Sequence, residues 1–278
     1  MHLLDGKKIA DSMLFDLKKK ITGLGKKPGL AVILVGHDPA SELYVKQKAK
    51  AAERIGVRFK LLRFTTRVSQ QTIINTIDKL NRDGRTDGII VQLPLPPKFN
   101  VQTVINAINP GKDADGFHPD NSKRFLSGQS GVFIVFPLAI VKLIESTRIN
   151  LKGKGGVVIA NSKEFGATMV QALARVNIQA GYILAKELKH KTDIVKKADV
   201  VVTAAGKPKL INGGMIKKGT IIIDGCITKT KKGLMGDVDF ESVRKVASFL
   251  SPVHGGVGPV TIACLLKNVA CLSENRIK

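Results

Sequence analysis

Short apolar runs rich in β-branched residues recur along this chain, and each is separated from the next by a stretch with helical spacing. That alternation constrains the fold more than any single motif. Leu30 to Val35, Leu61 to Phe64 and Gly88 to Gln92 read as strands in the first half; Gly156 to Ile159, Ala180 to Leu184, Val200 to Thr203 and Ile221 to Asp224 follow in the second. Ile9, Met13, Leu14, Leu17 and Ile21 mark one face of a helix over Asp5 to Thr22 that stops at Gly23. Asp38-Pro39 supplies the N-cap and first position of a helix ending near Gly56. Further helices are expected over Ser69 to Asn81, Ala139 to Thr147, Gly166 to Arg175 and Lys191 to Lys197, and a last one from near Pro259 past Leu266. Apolar strands alternating with helices imply parallel sheets covered on both faces, an α/β fold. The glycine- and proline-containing stretches near 110–131 and 251–259 are the expected crossing points between domains.

A chain of 278 residues suits two domains of modest size. With 44% hydrophobic and 24% charged residues it can bury a core, which excludes a disordered tail or a fibre. The net charge of +23 predicts attraction to anions: nucleic acid, an acidic membrane or polyanionic small molecules. Cys226, Cys264 and Cys271 show no C-x-x-C spacing, so neither a disulfide framework nor a zinc site is expected, and a reducing compartment fits. Met1 to Lys20 has no signal-peptide core, and the longest apolar run, Val132 to Val141, is broken by Pro137 where a membrane span needs about 20 residues. A cytoplasmic protein without a membrane partner is expected.

Five constellations can carry chemistry. Tyr44 and Lys48 are four apart on the second helix and share a face. A lysine beside a ring and partly desolvated can titrate low enough to move protons, although Lys46, Lys48 and Lys50 also read as a solvated charge run. Gln92 ends an apolar strand ahead of Leu93-Pro94-Leu95-Pro96, at the carboxyl edge where ligands gather in open parallel sheets, and equally can satisfy nearby backbone. Lys112-Asp113-Ala114-Asp115-Gly116-Phe117-His118-Pro119 offers a turn, a weak metal pattern, or a single Asp115 able to grip an N–H-rich heterocycle. Gly255-Gly256-Val257-Gly258-Pro259-Val260-Thr261 frees the backbone to approach a ligand ahead of a helix. Val157 to Gly166 runs from strand through a small-residue loop into a helix, the geometry of a dinucleotide turn, without G-x-G-x-x-G.

Taken in order, Tyr44-x-x-x-Lys48, Asp87 to Pro96, Lys112 to Pro119, Gly236-Asp237-Val238-Asp239-Phe240 and Gly255 to Thr261 resemble the bifunctional methylenetetrahydrofolate dehydrogenase/cyclohydrolase family across nearly the whole chain. The resemblance implies two α/β domains flanking a cleft, the second a Rossmann-like nucleotide-binding domain, usually dimerised. The corresponding boundaries are residues 1–135 plus 255–278 for a folate-binding catalytic domain and 136–254 for the nucleotide domain. It implies oxidation of 5,10-methylenetetrahydrofolate to the 5,10-methenyl form with NADP or NAD, then hydrolysis to 10-formyltetrahydrofolate, with no metal. Carried over, Lys48 serves the hydrolysis, Tyr44 stacks on and positions the folate, Gln92 holds Lys48, and Asp115 anchors the pterin. Gly255, Gly256, Pro259 and Thr261 belong to the loop expected to close over the folate, and Ser162, Gly166 and Ile227 fall in the cofactor half.

Departures gather in that half. The family's Gly-Arg-Ser stands here as Ala160-Asn161-Ser162, and its His-Ser as Lys186-Glu187. A carboxylate at the second place repels a 2′-phosphate and accepts from a free ribose hydroxyl. Phe136 replaces a threonine bordering the nicotinamide and is expected to crowd it, and His254 replaces a proline. The NADP contacts are therefore degraded, and two alternatives stand: a homologue retaining only the cyclohydrolase, or a basic nucleic-acid-binding protein. Aromatic residues at 5%, no tryptophan and dispersed lysines argue against the last.

Overall fold

The structure is a computed structural model that describes residues 1–129, 131–231 and 233–275. In chain order its elements are β1 (His2–Leu3), α1 (Gly6–Thr22), β2 (Gly29–Val35), α2 (Pro39–Arg54), β3 (Arg58–Phe64), α3 (Gln70–Arg82), β4 (Gly88–Val91), α4 (Val101–Asn106), α5 (Pro119–Leu126), α6 (Val135–Glu145), β5 (Gly155–Ala160), α7 (Lys163–Ala174), β6 (Gln179–Leu184), α8 (Thr192–Lys197), β7 (Val200–Ala204), β8 (Ile221–Asp224), β9 (Thr228–Thr230), β10 (Gly233–Met235), α9 (Phe240–Val243), β11 (Phe249–Leu250) and α10 (Val257–Asn275). The expected α/β class is what forms.

The chain divides into two compact units. One comprises Asp11–Val135 and the chain from Ile262 onward. Its parallel sheet runs β3-β2-β4. β2 is the central strand and is buried at every residue, as its unbroken apolar run requires. Ala31, Ile33 and Val35 share a core with Ile73, Ile77 and Leu80 of α3. Asp38 caps α2 as expected, accepting from the Ser41 amide at 2.8 Å, and Ser69 caps α3 by accepting from the Thr72 amide at 3.1 Å.

The other unit comprises Met1–Ala10 and Phe136–Thr261. Its six parallel strands run β1-β11-β8-β7-β5-β6, and β9 and β10 form a separate antiparallel pair. From β5 the chain goes through α7 to β6 on one side, and β7 lies on the other. The strand order therefore reverses beside β5, the place where doubly wound sheets bind dinucleotides.

These boundaries differ from the expected 1–135 plus 255–278. Residues 1–10 and 255–261 cluster with the six-stranded sheet, because β1 pairs with β11 (His2 with Phe249, Leu3 with Leu250) and the Lys7 amide donates to the Gly255 carbonyl at 3.1 Å. The divisions fall inside α1, α6 and α10 rather than in the loops near 110–131 and 251–259. A helix crosses without exposing backbone polar groups, which a loop would have to satisfy separately. α10 is 19 residues long and apolar enough to match a membrane span by length and composition, yet two thirds of it is buried in the fold.

Candidate active site

Helix α2 buries Ser41, Val45, Lys48 and Ala52. That spacing is one helical stripe, and a lysine occupies a place in it that an apolar residue would ordinarily take. Lys48 is 5% exposed, whereas Lys46 and Lys50 point to solvent, so the charge run is split by helix geometry. Its Nζ lies 4.9 Å from the centre of the Tyr44 ring, one turn earlier, within cation–π range.

The strand β4 supplies the partner. The Gln92 amide N–H donates to the Ile33 carbonyl at 2.8 Å, continuing the pairing with β2. The Gln92 side chain gives its Nε2 to the Leu93 carbonyl at 2.7 Å, which turns Oε1 toward Lys48, and Oε1 accepts from Nζ at 3.0 Å. Toward Lys48, a glutamine oriented this way is an acceptor only. It restrains the amine without neutralising it.

Asp115 completes the group. Burial pushes its carboxyl up from 3.8 to about 6, Lys48 pulls it down, and Asp113 pushes it further up. Burial likewise holds the Lys48 amine below the usual lysine range, with Asp115 opposing. The four residues expected to act together, Tyr44, Lys48, Gln92 and Asp115, thus lie in one unit around one buried nitrogen.

Two residues that sequence reasoning missed hold Asp115 in place. Asp113, 1% exposed, accepts from the Gly116 amide (3.1 Å), the His118 amide (2.8 Å) and Asn121 Nδ2 (3.0 Å). Asn268, deep in α10, donates its Nδ2 to the carbonyls of Ala114 (2.9 Å) and Phe133 (2.8 Å). For Asn268 the signal was a polar side chain in the largely apolar stretch of α10, beside Lys267.

Gly255, Gly256, Pro259 and Thr261 lie in the other unit. A Cβ on Gly6 would sit 1.8 Å from the Gly256 carbonyl oxygen, so α1 begins directly against this turn. α10 starts at Val257, two residues ahead of Pro259, and the Thr261 hydroxyl donates to the Val257 carbonyl at 3.0 Å.

In the six-stranded unit, Ser162 caps α7 through the Phe165 amide at 3.2 Å. A Cβ on Gly166 would come within 2.6 Å of the Tyr182 side chain. Glycine lets α7 lie close on β6, as a dinucleotide turn requires, so the residues fit a nucleotide here. The fit stops short of the family's arginine: Asn161 stands in its place and gives its side-chain amide to the Ala205 carbonyl. Phe136 fills the space above Gly225, its ring edge 3.0 Å from where a Cβ would be, and meets the Phe165 ring at 5.7 Å. Ile227 is 56% exposed just after β8. Among the described residues no group of His, Cys, Asp and Glu is placed to hold a metal.

Fold and site together define an α/β protein with a buried lysine held between a tyrosine ring and a glutamine in one unit and a dinucleotide-type sheet in the other. The profile of the tetrahydrofolate dehydrogenase/cyclohydrolase catalytic domain matches residues 4–115, and that of the same enzymes' NAD(P)-binding domain matches residues 135–277. The bifunctional protein FolD of Vesicomyosocius okutanii is 41% identical over the whole of both chains. A crystal structure of the bifunctional FolD enzyme from Campylobacter jejuni superposes with a TM-score of 0.94 at 38% identity, covering 99% of each chain. That of the Trypanosoma brucei enzyme, complexed with NADP cofactor and inhibitor, superposes at 0.93 and 30% identity, covering 100% of this chain and 98% of that one. The chain belongs to the tetrahydrofolate dehydrogenase/cyclohydrolase family.

Proposed function

We propose that this chain oxidises 5,10-methylenetetrahydrofolate to 5,10-methenyltetrahydrofolate and hydrolyses the product to 10-formyltetrahydrofolate. Both family profiles match, one to each half of the chain, which supports a bifunctional enzyme rather than a cyclohydrolase alone or a nucleic-acid binder. The nicotinamide dinucleotide, when bound, accepts the hydride of the first reaction.

The observation that carries the reading is the buried Lys48 amine between the Tyr44 ring and Gln92 Oε1. Desolvation favours the neutral amine, which can take a proton from water as its oxygen adds to the methenyl carbon. The bond from that carbon to N5 then breaks, N5 takes the proton held by Lys48, the added hydroxyl loses its own proton to solvent to become the formyl C=O, and the formyl group stays on N10. Gln92 keeps Nζ from turning away, and Tyr44 supplies an aromatic face for the folate. The Asp115 carboxylate, ionised above about pH 6, accepts from the pterin N–H donors. Gly255, Gly256, Pro259 and Thr261 belong to the loop read as substrate-binding, and Ser162, Gly166 and Ile227 to the nucleotide half. The same reading makes a cytoplasmic homodimer its proposed working form.

The test is an absorbance assay. Methenyl formation is followed with NAD and with NADP, and its decay afterwards. A chain that neither forms nor consumes the methenyl chromophore is not this enzyme.

A further inference from the structure

We infer that Glu187 makes this enzyme prefer the dinucleotide with a free ribose 2′-hydroxyl, NAD, over its 2′-phosphorylated form. The inference rests on the dehydrogenase reading above. In doubly wound sheets the adenosine ribose lies at the carboxyl end of the strand that follows the first helix, where an acidic side chain accepts from the 2′-hydroxyl and an arginine takes a 2′-phosphate. Here that strand is β6. Beyond its end the Ala185 amide bonds the Ala160 carbonyl at 2.8 Å, carrying the chain alongside the end of β5, and the Glu187 amide turns back to the Leu184 carbonyl at 2.8 Å. Glu187 therefore stands three residues past the carboxyl end of β6, the edge at which the ribose is expected.

Its charge is secure. Lys191 Nζ donates to it at 2.7 Å, and Lys191, Lys186 and Lys163 all hold its carboxyl below the usual range. Lys163 is the first residue of α7, the helix that follows β5.

The groups that would be needed to hold a 2′-phosphate are otherwise engaged. Asn161, where the family carries arginine, spends its amide on the Ala205 carbonyl, between the ends of β5 and β7. The Ser162 hydroxyl caps Phe165. Lys191 is paired with Glu187. Lys163 and Lys186 remain, and both share their field with the carboxylate. A phosphate dianion reaching them must sit against a like charge, whereas a hydroxyl donates to it.

Isothermal titration of the full-length protein with NAD and NADP separately, at one low ionic strength, tests this. Unaltered protein is expected to bind NAD at least about tenfold more tightly than NADP, and Glu187→Gln to raise NADP affinity by about tenfold or more while leaving NAD unchanged or weaker. Lys191→Met, which frees the carboxylate, is expected to weaken NADP further and spare NAD. The Glu187 and Lys191 side chains are half-buried at the surface, 39% and 42% exposed, so these variants are expected to fold, and their melting temperatures verify it. Tighter binding of NADP by the unaltered protein overturns the inference, as does an unchanged NAD-to-NADP ratio in Glu187→Gln. Failure of both nucleotides to bind, with methenyl hydrolysis intact, removes the dehydrogenase reading itself and the inference with it.

Discussion

A lysine on the inward stripe of a helix is a cost to folding, and its protonation shows which way. Burial lowers the Lys48 amine, so the unfolded chain holds the proton more tightly than the folded one. The folded state is then penalised at pH 7, and the penalty eases as pH rises toward the unfolded value. Lys48→Met should therefore raise the melting temperature while slowing methenyl hydrolysis by about 10²–10⁴-fold, with folate affinity largely kept. Hydrolysis at the unaltered rate would remove Lys48 from the mechanism. Asp115 has the opposite sign. Its folded value, about 6, lies above the ordinary 3.8, so the stability it contributes is present at low pH and is lost as pH rises through about 6. Function needs the form that stability disfavours. Folate affinity, measured by fluorescence titration, should fall as pH drops below about 6, and Asp115→Asn should bind weakly at pH 7 with that acid limb gone. A limb that persists in Asp115→Asn would assign the titration to another group.

At the scale of elements, the site is a strand end and a helix face braced by a third element. α2 and β4 present Lys48 and Gln92, and α10 reaches across to clamp the Asp115 segment through Asn268. Asn268→Leu leaves two carbonyls without their donor and should cost about 1–3 kcal/mol in chemical denaturation. It should also raise the folate KM more than it lowers kcat, because Asp115 is displaced while Lys48 is not. A pure loss of stability with an unchanged KM would make Asn268 structural only. Gly6 tests the other brace. Its missing Cβ leaves room for the Gly256 carbonyl, and Gly6→Ala must move backbone, at a cost of about 1–3 kcal/mol or more.

Across the whole molecule, the +23 charge acts on association rather than on fold. Folates with glutamate tails and dinucleotides are anions, so their affinities should weaken with added salt, more steeply for folates with longer tails. The screening length shortens from roughly 10 Å at 0.1 M to about 3 Å at 1 M salt. A salt-independent KM would show that the excess lysines lie away from the ligands.

The longer strands and helices of this chain were legible from local pattern, because β-branched apolar runs and Asp38-Pro39 act over a few residues, whereas the short β1, α4, α5, β9, β10, α9 and β11 carry too few residues to show a period. The family motifs marked Tyr44, Lys48, Gln92 and Asp115 by their order along the chain. What pattern could not reach was where the chain changes unit and what braces the site. The pairing of His2–Leu3 with Phe249–Leu250, and the reach of Asn268 to Ala114, join residues far apart in the chain. Such contacts leave no local periodicity, and only the folded chain brings their atoms within bonding distance.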